Sequence, residues 1–417
     1  MRAYVVDDDP VLLELLTGRL SDAGHQVTSF RSGARALESV FADKPDFILM
    51  DIMMPDCDGL DFCRKVRADT ALSGTPIVVV TAKAYDFDRR QAAAAGANGY
   101  ITKPIGPDFM RQIDSLLIPS AKLRYWGVRG TLPRPGPESL RYGGNTSCVS
   151  MSFGADRHFI FDAGTGIHAL GSYLMARRER VTAHIFISHP HWDHINAFPF
   201  FGPLYMPGNA FQVMGATHGD MSIRQIVGDQ MDSVHFPVTM REFAAQLEFH
   251  DIGETTMQIG DVTVRTLLLS HPGRCLGYRL EWGGRSLCYV TDNELFPLDL
   301  PQHDSHYENR LTAFVAEADV LITDTTYTDT EYRRKIGWGH SAVGEVVRIA
   351  HAAEVKELHL FHHDPDQGDD DIDRKLEAAR AQLNALGSAT RCIAPAEGDV
   401  YKMRLAPSSE HVESRVA

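Results

Sequence analysis

Apolar and polar positions divide the chain into two stretches with different rhythms. From Ala3 to Leu117, short apolar runs alternate with longer amphipathic segments. Tyr4-Val5-Val6, Phe47-Ile48-Leu49-Met50, Ile77-Val78-Val79-Val80 and Gly99-Tyr100-Ile101 read as strands. Asp9-Pro10 opens a helix, with Leu12, Leu13, Leu15, Leu16 and Leu20 expected on its inner side. Strand alternating with helix predicts a doubly wound, five-stranded parallel sheet, the α/β class. In that architecture functional groups collect at the carboxyl ends of the strands, where Asp7 and Asp8, Asp51, Thr81 and Lys103 stand.

From Lys122 to about Leu405 the strand signals are short and punctuated by Gly and Pro, as in His158-Phe159-Ile160-Phe161, Val262 to Leu267 and Ser286 to Val290. Helical stretches fall at Ala342 to Ala353 and Asp371 to Leu386. Several strand-like runs end on a polar residue. Ala183 to Ser188 runs into His189-Pro190-His191-Trp192-Asp193-His194, and later runs end at His271, Asp292 and His362. The pattern predicts a first domain over 1–118, a short linker at 119–123, a second domain over 124–405 and a disordered polar tail over 406–417. With no Gly/Ser spacer at the join, the two domains are expected to touch, so that a change near Tyr100 reaches the second domain.

Composition narrows the function classes. The 417 residues are 44% hydrophobic and 23% charged, ordinary for a soluble protein. A net charge of −14 argues against a DNA or anionic-membrane surface, which needs basic patches. No signal-peptide pattern and no bilayer-length apolar run occur, so a cytoplasmic location is expected. The six cysteines lack C-x-x-C spacing and read as reduced thiols.

The candidate chemistry of the first stretch is phosphoryl transfer to a carboxylate. Clustered carboxylates repel unless a hard cation such as Mg²⁺ joins them, and a carboxylate beside Mg²⁺ can take up a phosphoryl group. This stretch resembles a response-regulator receiver domain over nearly all of its length. The resemblance implies Mg²⁺ held by Asp8, Asp51 and the backbone carbonyl of Met53, with Asp7 assisting. It implies Asp51, in Leu49-Met50-Asp51-Ile52-Met53-Met54-Pro55, as phosphoacceptor. Thr81 and Tyr100 become the switch pair, and Lys103 precedes an expected cis Pro104. A sensor histidine kinase or phosphotransfer protein is the implied partner.

In the second stretch, three histidines and a carboxylate within six residues have little structural use, because buried imidazoles are costly unless something ligates them. Neutral imidazoles with a carboxylate suit zinc, with manganese or iron as further candidates. The series of strand-terminal ligands resembles the metallo-β-lactamase fold superfamily, an αββα sandwich. That resemblance implies two divalent metals, one held by His189, His191 and His271, the other by Asp193, His194 and His362, with Asp292 bridging. Asp162 matches a buried structural aspartate. Two metals about 3.5–4 Å apart can activate a bridging water and clamp both oxygens of an in-line displacement.

Gly337-Trp338-Gly339-His340-Ser341, with Asp324-Thr325-Thr326-Tyr327, resembles the phosphodiesterase branch that includes tRNA 3′-processing enzymes. There the equivalent of His340 protonates the leaving oxygen, a general-acid task suited to imidazole. Asp193 is the second residue carried over as catalytic. Tyr142-Gly143-Gly144-Asn145-Thr146-Ser147 is expected to offer N–H groups and hydroxyls near the site. Of the 41 Lys and Arg, 28 fall after residue 118, against 38 of the 55 Asp and Glu. So acidic a domain points to a small phosphodiester, such as a cyclic nucleotide, and away from tRNA. Thioester or lactone hydrolysis, and a non-catalytic assembly module, are the competing readings. A homodimer is compatible with either.

Overall fold

Parallel pairing dominates the amino-terminal unit. The structure is a computed structural model that describes residues 1–404 except 73, 118–119, 154–156 and 235. Backbone contacts divide the chain into Met1–Pro119 and Ser120–Ala417. In the first unit β1 (Arg2–Val6), β2 (Gln26–Phe30), β3 (Phe47–Met50), β4 (Ile77–Thr81) and β5 (Gly99–Thr102) form one all-parallel sheet of order β2-β1-β3-β4-β5. β3 and β4 are buried on both faces, which explains their unbroken apolar runs. The helix Pro10–Asp22 starts where Asp9 accepts hydrogen bonds from the Val11 and Leu12 amides. It buries Leu13, Leu16 and Leu20, one row at helical spacing. Leu15 does not belong to the inner side: it is 42% exposed.

The second unit stacks two seven-stranded sheets. One runs β11-β10-β9-β8-β7-β6-β19 and is built from β6 (Ser120–Gly127), β7 (Cys148–Phe153), β8 (Arg157–Phe161), β9 (Thr182–Phe186), β10 (Ala210–Gly215), β11 (Gln246–Asp251) and β19 (Val400–Arg404). The other runs in sequence order through β12 (Thr256–Ile259), β13 (Val262–Leu268), β14 (Leu276–Trp282), β15 (Arg285–Val290), β16 (Val320–Asp324), β17 (Glu357–Phe361) and β18 (Arg391–Ile393). Leu123, Phe161 and Phe186 of the first sheet share a core with Tyr278, Tyr289 and Phe361 of the second. The helix Gly166–Ala176 covers the outer face of the first sheet, and Ser305–Val315, Val343–Ala352 and Asp369–Ala385 cover the second. The result is the αββα layering expected from the sequence.

Residues 120–123, expected as linker, are the opening residues of β6 and pair with β7 and β19. The expected tail at 406–417 lies outside the described residues. Asp162, His189, His271, Asp292 and His362 all lie just past the ends of β8, β9, β13, β15 and β17. Three of them turn the chain through left-handed backbone, with φ of 60° at Asp162, 37° at Asp292 and 59° at His362. Non-glycine residues held there cost about 1–3 kcal/mol each, and such positions cluster at functional sites.

Candidate metal centre

Three imidazole nitrogens face one another at the first cluster. His189 Nε2 lies 2.8 Å and His271 Nε2 3.1 Å from His191 Nδ1. Asp292 Oδ2 is 3.5 Å from His189 Nε2 and 3.8 Å from His271 Nε2. His271 has its tautomer set from behind, because Nδ1 donates to the Gly339 carbonyl at 2.8 Å and leaves Nε2 as a lone pair. Burial pushes His189, His191 and His271 below the usual imidazole range, towards the neutral, ligating form.

The second cluster uses the other oxygen of the same carboxylate. Asp292 Oδ1 is 3.1 Å from both His194 Nε2 and His362 Nε2, and Asp193 Oδ2 is also 3.1 Å from each. His194 Nε2 is buried yet makes no hydrogen bond among the described residues, while its Nδ1 donates to Asp162 Oδ2 at 2.7 Å. Lone pairs aimed at one another, two carboxylates and an orphaned imidazole nitrogen fit a pair of divalent cations sharing Asp292. Four ligand atoms in each cluster lie within 4.8 Å of one another.

The support for these ligands comes from both sheets. Asp162 accepts from the Ser188 amide at 2.7 Å, Ser188 Oγ at 2.9 Å and Tyr289 Oη at 2.7 Å, besides His194. It thereby ties the ligand run after β9 to β15 across the sandwich. The Thr131 amide donates to Asp193 Oδ2 at 2.8 Å, and Thr131 itself has a φ of 64°. Gly130 must lack a side chain, since a Cβ there would sit 2.1 Å from the His362 ring.

His340 stands beside both clusters, with its ring 5.0 Å from that of His362 and 5.4 Å from that of His271. Its Nδ1 contacts Asp324 Oδ2 at 2.8 Å. Burial alone would lower the His340 pKa, but the Asp324 charge outweighs it and lifts it to about 9. Asp324 is itself held by the Asn293 and Thr326 amides at 3.2 and 2.9 Å. Glu294 then fixes the loop that carries His340. Its buried carboxylate accepts from the Gly337 and Gly339 amides, each at 2.7 Å, and from Tyr332 Oη at 2.9 Å. Neither Glu294 nor Thr131 stands out in the sequence, because their partners are set by folding.

One expectation needs correction. Thr146 and Ser147 present no hydroxyl to the clusters: both are fully buried, with Thr146 bonded to Thr165 and Ser147 to the Arg129 carbonyl. The segment is a floor beneath the ligand run, as Gly164 shows by packing against Thr146 and the Asp193 carbonyl. His363, beside His362, is fully buried, and its ring nitrogens have no hydrogen-bond partner among the described residues.

The first unit carries its own cluster. Ligand atoms of Asp7, Asp8 and Asp51 lie within 4.8 Å of one another, and Lys103 Nζ reaches Asp7 Oδ2 at 2.8 Å and Asp51 Oδ2 at 2.5 Å. The Met53 amide donates to Asp51 Oδ1 at 3.1 Å. Thr81 Oγ1 is buried without a hydrogen-bond partner among the described residues, Tyr100 Oη donates to the Lys83 carbonyl at 3.0 Å, and the Lys103–Pro104 peptide is cis.

Comparison with known proteins identifies both domains. Residues 3–113 match the response regulator receiver domain and residues 157–363 the β-lactamase superfamily domain. PilH of Pseudomonas aeruginosa is 33% identical over 117 residues, which are 28% of this chain and 97% of PilH. The DNA-binding response regulator MtrA of Mycolicibacterium smegmatis is 42% identical over 106 residues, 25% of this chain and 45% of MtrA, so the chain spans about half the length of the MtrA relatives it matches. Among solved structures, the metallo-β-lactamase fold protein YhfI of Bacillus subtilis overlays with a TM-score of 0.50 at 19% identity, covering 68% of this chain and 99% of YhfI. The chain belongs to the response-regulator family. It is a receiver domain fused to a β-lactamase-superfamily domain. Among the described residues, no helix is long and apolar enough to cross a membrane.

Two substitutions test how the centre is held. Gly130→Ala should displace the His362 ring and lower the metal that co-purifies, read by elemental analysis, while the receiver cluster keeps its Mg²⁺ affinity. Glu294→Ala leaves the Gly337 and Gly339 amides unpaired, the second of them buried at about 1–3 kcal/mol. Amide hydrogen exchange at residues 337–340 should rise at least tenfold, and Glu294→Gln should recover part of the protection.

Proposed function

We propose that the second unit is a metal-dependent hydrolase of a small phosphodiester, under the control of phosphorylation at Asp51. The observation that carries the reading is the Asp324–His340 pair set beside a doubled His/Asp cluster. His189, His191 and His271 would hold one divalent cation and Asp193, His194 and His362 the other, with Asp292 shared. Zinc is the cation these donors suit best, with manganese or iron as alternatives. The bound cations would supply Lewis acidity towards the phosphoryl oxygens and the attacking water.

The residues of the chain do the rest. Asp193, held by the Thr131 amide, keeps its carboxylate turned to the cluster and orients His194 and His362 beside it. Asp324 favours the imidazolium form of His340 and occupies its Nδ1–H. The remaining Nε2–H is then the proton source for the departing alkoxide, the step in which a poor leaving group most needs an acid. A thioester releases a thiolate, a far less basic group that depends less on such a donor, which gives the substrate test its direction.

In the first unit, Asp8, Asp51 and the Met53 carbonyl would hold Mg²⁺ with Asp7 assisting. Lys103 and Thr81 would bind the phosphoryl oxygens on Asp51, with Tyr100 as the partner of the switch. A histidine kinase or phosphotransfer protein would supply the phosphoryl group.

Purified protein should cleave bis-p-nitrophenyl phosphate or 3′,5′-cyclic AMP in a chelator-sensitive way. His340→Ala should lower kcat on the alkyl diester by about 10²-fold or more and change thioester cleavage little. Absence of diester cleavage alongside thioester turnover would overturn the reading. Acetyl phosphate should change the diesterase rate or the assembly state of the wild-type protein and leave Asp51→Ala unaffected.

A further inference from the structure

The phosphodiester reading leaves open what is attached to the phosphate, and two features at the metal-ligating residues bear on it. The chain has four tryptophans. Trp126 and Trp282 are buried. Trp192 and Trp338 are not: they are 81% and 59% exposed. Trp192 lies between His191 and Asp193, in a short helix whose other residues, Asp193, His194 and Ile195, are all buried. The ligands thus fix the backbone and leave one indole in water. Trp338 immediately precedes Gly339, whose carbonyl accepts from His271, and lies two residues before His340. Exposed rings of this size, each next to a segment that carries candidate ligands or His340, offer flat apolar faces that a planar partner can cover.

The second feature is charge. Arg333, Arg334 and Lys335 stand together just ahead of Trp338, and none makes an ion pair among the described residues. Lys335 Nζ lies 3.9 Å from the Trp338 ring centroid and 5.7 Å from that of Tyr327, whose ring is 5.9 Å from His340. Three unpaired cations in a net acidic domain attract an anion to this segment. They also repel a cationic head group, the other usual occupant of exposed tryptophans. A polyanion is disfavoured by the acidic balance of the domain as a whole. A group both planar and anionic, and small, is a nucleotide.

We propose that Trp192 and Trp338 stack the nucleobase of a mono- or dinucleotide phosphodiester, with Arg333, Arg334 and Lys335 drawing in its phosphate. This rests on the phosphodiester reading, and binding of a product-like probe separates the two. The full-length protein is titrated with AMP and with ribose 5-phosphate, followed by tryptophan emission and calorimetry. AMP should quench emission saturably and bind at least tenfold tighter than ribose 5-phosphate. Trp192→Ala and Trp338→Ala should each lower AMP affinity about tenfold, as loss of a base–aromatic stack does. Ribose 5-phosphate affinity should stay within twofold, and Trp192→Phe should retain most AMP binding. Equal affinity for the two probes, or AMP binding that survives both alanine substitutions, would overturn the proposal. A lower sedimentation mass for Trp192→Ala with unchanged AMP affinity would assign the ring to a second copy and overturn it equally. Stacking without diester cleavage would refute the reaction and keep the base site, while cleavage without stacking would do the reverse.

Discussion

The second unit is organised around one buried carboxylate that has to be shared. Asp292 sits with one oxygen towards His189 and His271 and the other towards His194 and His362, with almost no contact with water. Removing so many polar groups from water is unfavourable unless a common partner satisfies them. That requirement explains why the chain tolerates left-handed backbone at Asp162, Asp292 and His362, and why a glycine must stand at 130. It also explains Asp162, whose four donors lock the ligand run of one sheet to Tyr289 of the other.

Much of this was legible in the sequence, for a local reason. His189 to His194 are consecutive, and His271, Asp292 and His362 each follow an apolar run, so strand ends marked them. The parallel sheet of the first unit was legible in the same way, through fully buried strands that read as apolar blocks. The residues that hold the ligands were not. Glu294 finds its partners at 332, 337 and 339, and Thr131 finds Asp193 62 positions away. No window of sequence contains both halves of such a contact. Hydroxyls at Thr146 and Ser147 misled because a polar loop near a site and a polar loop beneath it have the same composition. The strand start at Ser120 was missed because its pairing partners, β7 and β19, are distant in sequence.

The two carboxylate clusters of the chain solve the same electrostatic problem in opposite ways. In the first unit Lys103 lies between Asp7 and Asp51, and the attraction of the two carboxylates raises its pKa against the effect of burial. That site carries its own counter-charge. In the second unit no Lys or Arg pairs with Asp193 or Asp292 among the described residues, and imidazoles are the titratable cationic groups set against them. Imidazoles there can balance the carboxylates by taking protons or by sharing cations, and only the second leaves their lone pairs productively directed. Cations held by the second unit would therefore be as much a part of its folded interior as the side chains around them, whereas Lys103 gives the receiver cluster a counter-charge of its own.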